Sequence, residues 1–88
     1  MNQPSLTLTL SVTLKPGSQH DMVWLLQAML AAISRHFINL GKPDLNGSYD
    51  EATRQAVMRV QRACGLTPDG VTDEQTWAHI VQLFGSWQ

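Results

Sequence analysis

The sequence predicts a mainly α fold: a small three-helix bundle with a β-strand extension at its amino end. Three observations carry that expectation. Apolar residues recur at steps of three and four in three separate stretches. One eight-residue pattern occurs twice, each time just before a helical stretch. Glycine or proline punctuates every gap between the stretches.

Residues 6–14 read Leu-Thr-Leu-Thr-Leu-Ser-Val-Thr-Leu. Apolar and hydroxyl residues alternate strictly, so Leu6, Leu8, Leu10, Val12 and Leu14 share one face of a strand. Pro16-Gly17 then turns the chain. From about Ser18 the period lengthens. Val23, Leu26, Leu30, Ile33 and Phe37 fall on one helical face, with Ser18 or Asp21 as the cap and Gly41-Lys42-Pro43 as the stop. A loop rich in Pro, Asn and Gly runs to about Tyr49. The second helix is expected over 50–64, with Ala52, Ala56, Val57, Val60 and Cys64 as its apolar stripe and Gly65 as its stop. Thr67-Pro68-Asp69-Gly70 turns into a third helix over 73–84. Its buried side is Trp77, Ile80, Val81 and Phe84. The strand extension is assigned to 1–13 and the helical domain to 14–88.

Composition excludes several classes of function. The 88 residues suffice for one domain with a modest core. Six Lys plus Arg and a formal charge of −1 argue against nucleic-acid binding and against polybasic membrane attachment. Cys64 is the only cysteine, so neither an internal disulfide nor a cysteine-based zinc site is expected. No apolar run approaches the ~18 residues of a membrane span. Met1-Asn-Gln-Pro-Ser lacks the basic start of a signal peptide, and the stretch after it alternates where a signal would be solidly apolar.

The repeat is the most informative feature. Its first copy is Asn46-Gly47-Ser48-Tyr49-Asp50-Glu51-Ala52-Thr53 and its second is Asp69-Gly70-Val71-Thr72-Asp73-Glu74-Gln75-Thr76. Asn-Gly and Asp-Gly suit a tight turn, because glycine accepts positive φ and the Asx side chain bonds the backbone two residues on. Asp50 and Asp73 stand where helix N-caps belong. Glu51 and Glu74 follow in the first turn, where the helix dipole favours negative charge. Thr53 and Thr76 lie three residues after the caps and can reach back in a variant of the capping box. A second echo pairs Val23, Leu26 and Gln27 with Val57, Val60 and Gln61. The apolar pairs serve the core, and each Gln is expected to tie its helix to a neighbouring turn.

These residues resemble the bacterial peptidoglycan-binding domain of the three-helix type, found beside many wall hydrolases. The first block of that family's pattern matches at Leu14, Gly17, Ser18, Val23, Leu26, Gln27 and Leu30. The second matches at Gly47, Thr53, Ala56, Val57 and Gln61, and the third at Gly65, Leu66, Asp69, Gly70, Thr76 and Trp77. The resemblance covers about residues 14 to 84. His20 stands for a usual glycine, Asn46 for an aspartate, Tyr49 and Val60 for phenylalanines, and Asp50 and Asp73 for glycines. The segment from Ala31 to Leu45 is longer than the family's usual link.

The resemblance implies a bacterial or phage setting and a wall ligand with sugar faces, amides and stem-peptide carboxylates. A binder meets these with aromatic rings, Asn or Asp, and Arg. Asn46, Tyr49, Arg54, Arg59, Asp69 and Trp77 are therefore the candidate ligand-binding residues, although packing competes for Tyr49 and Trp77 and simple solvation for Arg54. Trp24 and Trp87 lie off the apolar stripes and are candidate partner contacts. His20, His36 and His79 have no ligand spacing, so no metal is expected. Capping accounts for Asp50-Glu51 and Asp73-Glu74, which removes the case for a glycosidase pair. Cys64 reads as a structural thiol.

The expected function is a non-catalytic module, without a cofactor, that binds glycan strand or stem peptide. It would target or anchor a larger protein or assembly to the wall, raising the effective concentration of any tethered catalyst. Delivery is expected to depend on a parent protein, an assembly or lysis. The alternative is a structural or protein-interaction module. In that case Leu6 to Leu14 would pack on the helices, pair with another copy or dock on a partner's sheet.

Overall fold

The computed structural model describes residues 13–36, 39–41 and 43–86. It contains three α-helices: α1 Asp21–His36, α2 Glu51–Ala63 and α3 Glu74–Gly85. α1 packs against both of the others. The mainly α, three-helix expectation therefore holds. Among the described residues there is no strand, only an antiparallel bridge between Leu14 and Thr72. Leu6 to Val12 of the expected extension lie outside the described residues, as do Phe37 and Trp87.

The core follows the predicted stripes. Val23, Leu26, Leu30 and Ile33 of α1, Ala56, Val57 and Val60 of α2, and Trp77 and Ile80 of α3 are buried together with Leu14. Val81, Phe84 and Cys64 pack against them while partly exposed. Met29 and Leu40 join the core, which the stripes did not include.

Three local expectations need correction. Ala52 is exposed and Thr53 takes the buried place, because the Thr53 hydroxyl has partners there: it donates to Asp50 Oδ1 and accepts from Gln27. Through that bond Thr53 reaches back to its cap, as the capping-box variant expects. Neither Ser18 nor Asp21 caps α1; His20 does so, its Nδ1 accepting from the Met22 N–H at 3.0 Å. α1 is described to His36, and Asn39 to Gly41 lie outside it, so the helix does not run up to Gly41. The Ser34 hydroxyl accepts from the Leu40 N–H and donates to the Gly41 carbonyl, offering this backbone a partner other than the helix ladder.

The other helix ends behave as predicted. Asp50 and Asp73 accept from the Thr53 and Thr76 N–H groups at 3.0 and 2.9 Å. α2 closes in a Schellman arrangement, with Gly65 N–H donating to Arg62 O and Leu66 N–H to Gln61 O. Gly65 has φ +74, which explains a glycine there.

Two glutamines lock helix to turn. Gln27 is fully buried. Its Oε1 accepts from the Asn46 and Gly47 N–H groups, and its Nε2 donates to Asn46 Oδ1, Ser48 O and Thr53 Oγ1. Gln61 repeats this arrangement on the second turn. Its Oε1 accepts from the Gly70 N–H, and its Nε2 donates to Asp69 Oδ1, Val71 O and Thr76 Oγ1. Among the described residues, no buried side-chain nitrogen or oxygen lacks a partner.

Gln27→Ala or Gln61→Ala should each cost about 2–4 kcal/mol, since each leaves buried turn groups unpaired and a gap behind. Urea unfolding of the two variants checks this. Losses below about 0.5 kcal/mol would show that the turns hold without the amides.

Candidate functional site

The two turns are brought together by the segment that leads into α1. Gly17 N–H donates to Tyr49 O, and Tyr49 N–H donates to Ser18 O. Four residues earlier, Leu14 exchanges both backbone hydrogen bonds with Thr72, at 3.0 and 2.8 Å. Tyr49 and Thr72 hold the same place in the two copies of the repeat. The incoming chain thus pairs with both copies at equivalent positions.

Tyr49 completes the junction. Its ring is buried, its hydroxyl donates to Gly70 O at 2.7 Å, and it lies 2.9 Å from Thr72 Oγ1. Burial pushes the phenol up to about 12 from its ordinary 10.0. A phenylalanine, usual in the resembled family, would leave the Gly70 carbonyl without this donor.

The turns differ in what covers their glycines. A Cβ on Gly47 would overlap the indole of Trp24, so that ring lies directly against the first turn. A Cβ on Gly70 would come within 2.7 Å of Arg54 Cγ and 3.3 Å of Met58 Cγ. The Arg54 stem therefore lies over the second turn, and its guanidinium sits 3.1 Å from Glu51. The sequence marks Trp24 as off-stripe and a candidate partner contact, and not as the cover of the first turn. Its spacing of three residues from Gln27 was the available signal, since a side chain one helical turn before the lock reaches the locked turn.

The six candidate residues separate by depth. Tyr49 and Trp77 are 2% and 1% exposed, so their rings support the surface from beneath and offer no open face to a sugar. Asn46 and Asp69 are exposed, and each accepts from the N–H two residues on. Asn46 also donates to Asp50 Oδ2. Arg54 keeps about a third of its side chain in solvent. Arg59 stands apart from the turn junction, with Nη1 donating to Asn39 O at 3.4 Å. Near it a recess of about 510 Å³ is lined by Ala31, Ser34, Arg35, Asn39, Gly41 and Pro43. None of the six candidates lines it.

The carboxylates at the turns are held ionised by the backbone. Asp50 lies below its ordinary 3.8, chiefly through the Thr53 N–H, and Asp69 likewise through the Val71 N–H. Glu51 is lowered mainly by the Gln55 amide. Burial raises the Cys64 thiol, which suits a packing role. Among the described residues, no group of three or more His, Cys, Asp or Glu is placed to hold a metal ion. No helix among them is long and apolar enough to cross a membrane.

A three-helix bundle started by two glutamine-locked turns, with polar loops outside and rings beneath, defines a small helical binding module. The model of the family described as "Putative peptidoglycan binding domain" matches residues 19–80, and the chain belongs to that family. The match spans both locks, both turns, α1 and α2 in full, and α3 as far as Ile80. No curated protein and no solved structure shows a significant match to the chain.

Stability should be flat through neutral pH and fall at both extremes. Asp50 and Asp69 have lowered folded values, so their contribution is present above about 3.8 and lost as pH falls through the folded values. Tyr49 has a raised one, so its contribution is full below about 10.0 and lost as pH rises towards about 12. It is the only tyrosine in the chain, and tyrosinate absorbance should show a single late transition. A midpoint near 10.0 would contradict a buried, donating phenol. Tyr49→Phe should cost about 1–2 kcal/mol by urea unfolding.

Proposed function

We propose that this chain is a non-catalytic module that binds peptidoglycan and holds a larger protein or assembly at the wall. Membership of the binding-domain family, across both turn units, is the observation that carries this reading. The acid pairs that might suggest a glycosidase are engaged locally. Asp50 and Asp73 cap helices, and Glu51 meets Arg54 and Gln55. Tethering by such a module raises the local concentration of an attached catalyst without adding chemistry.

The contact surface in this proposal is the outer side of the turn junction. Arg54 is its cation, with a stem pinned over Gly70 and a guanidinium suited to stem-peptide carboxylates. Asn46 and Asp69 flank it as exposed hydrogen-bonding groups. Tyr49 and Trp77 shape the surface from inside. Arg59 is a more remote cation beside Asn39.

The test is sedimentation with purified insoluble sacculi. The chain should pellet with them, and Arg54→Ala should weaken binding roughly three- to tenfold while leaving the helical signal unchanged. Added salt should weaken the wild type more than the variant, because the lost contact is ionic. A wild-type chain that stays in the supernatant at roughly tens of micromolar would overturn the proposal.

A further inference from the structure

We infer that the exposed indole of Trp24 is a stacking platform for the N-acetylated sugars of a glycan strand; this rests on the wall-binding reading and names the part of the wall that the first turn meets. The large hydrophobic residues left exposed among the described residues are Trp24, at 48%, and Leu45, at 52%. Leu45 leads into the first turn, and Trp24 of α1 lies against it. Leu45 precedes Asn46, whose N–H is held by Gln27, and the indole lies against Gly47. The apolar surface left in water is thus gathered at one polar turn, where a ligand can cover it.

The second turn serves as an internal control. Trp24 and Met58 are equivalent, each standing three residues before the lock glutamine. Met58 is half-buried and, with the Arg54 stem, is enough to cover Gly70. Covering a glycine turn therefore does not need an indole, and the exposed half of Trp24 is unexplained by folding. An indole offers a flat apolar face to the C–H face of a sugar. In the same turn Asn46 Nδ2 donates to Asp50 Oδ2, which leaves the second Nδ2 hydrogen for a sugar oxygen and an Oδ2 lone pair for a hydroxyl or acetamido N–H. Asp21, one helical turn before Trp24, and Asp44 and Asp50, on either side of the Leu45–Gly47 stretch, are carboxylates. That charge favours an uncharged sugar over the carboxylate-bearing stem peptide.

The experiment is an NMR titration of the labelled chain with a soluble N-acetylglucosamine oligosaccharide, paired with sedimentation on sacculi. The Trp24 indole N–H and the Asn46 side-chain amide should shift, while the buried Trp77 indole stays in place. Trp24→Met, which installs the residue of the equivalent position and still covers Gly47, should keep the fold. It should lose the titration and bind sacculi roughly tenfold more weakly. Unmoved Trp24 and Asn46 signals at millimolar sugar would overturn the platform. So would equal binding of sacculi by Trp24→Met and wild type, or a concentration-dependent dimer that Trp24→Met dissolves. Failure of the wild type to bind sacculi at all would instead overturn the wall-binding reading, and the titration would then decide the sugar contact alone.

Discussion

A buried primary amide is the constraint on which this structure depends. Each helix-starting turn directs backbone N–H groups inward, away from water, where unpaired donors are costly. A glutamine one helix earlier supplies both an acceptor and two donors at a single point. Gln27 meets two N–H groups, a backbone carbonyl, the Asn46 side chain and the Thr53 hydroxyl from a position with no solvent exposure. Gln61 does nearly the same for the second turn. The direction of α2 relative to α1, and of α3 relative to α2, follows from satisfying these groups.

The same unit, used twice, accounts for the surface. Both turns present an Asx residue outward and a glycine inward, and both are paired by the chain entering α1, through Tyr49 and Thr72. The Tyr49 hydroxyl then couples one turn to the other. The turns diverge only in what lies over the glycine. The first carries an indole and the second an arginine stem, so one fold element offers an apolar face and a cation at two related places.

Much of the fold was legible because it is local. Caps, turn glycines and apolar stripes act over three to five residues, and the repeat exposed them twice. The glutamine echo was legible for the same reason, and its role as a tie from helix to turn was readable from spacing alone. The misread positions turn on which partner a polar side chain finds in the folded chain. Thr53 displaces Ala52 from the buried face because its hydroxyl meets a glutamine 26 residues away. The chain has left α1 by Asn39, where the Ser34 hydroxyl takes the backbone of residues 40 and 41. His20 becomes the cap in place of two stronger cap formers because its ring reaches the Met22 N–H.

The candidate site was legible as a set of residue types and was sorted only by depth. Asn46, Asp69 and Arg54 reach the surface, while Tyr49 and Trp77 are buried beneath it. The sequence by itself determined three helices, the N-caps of α2 and α3, the doubled turn and the family, since each is written in short-range periodicity and hydrogen-bonding capacity. Only the tertiary structure decided which rings are core and which is left exposed. That outcome depends on where the third helix and the incoming chain close over the turns, and no local pattern encodes it.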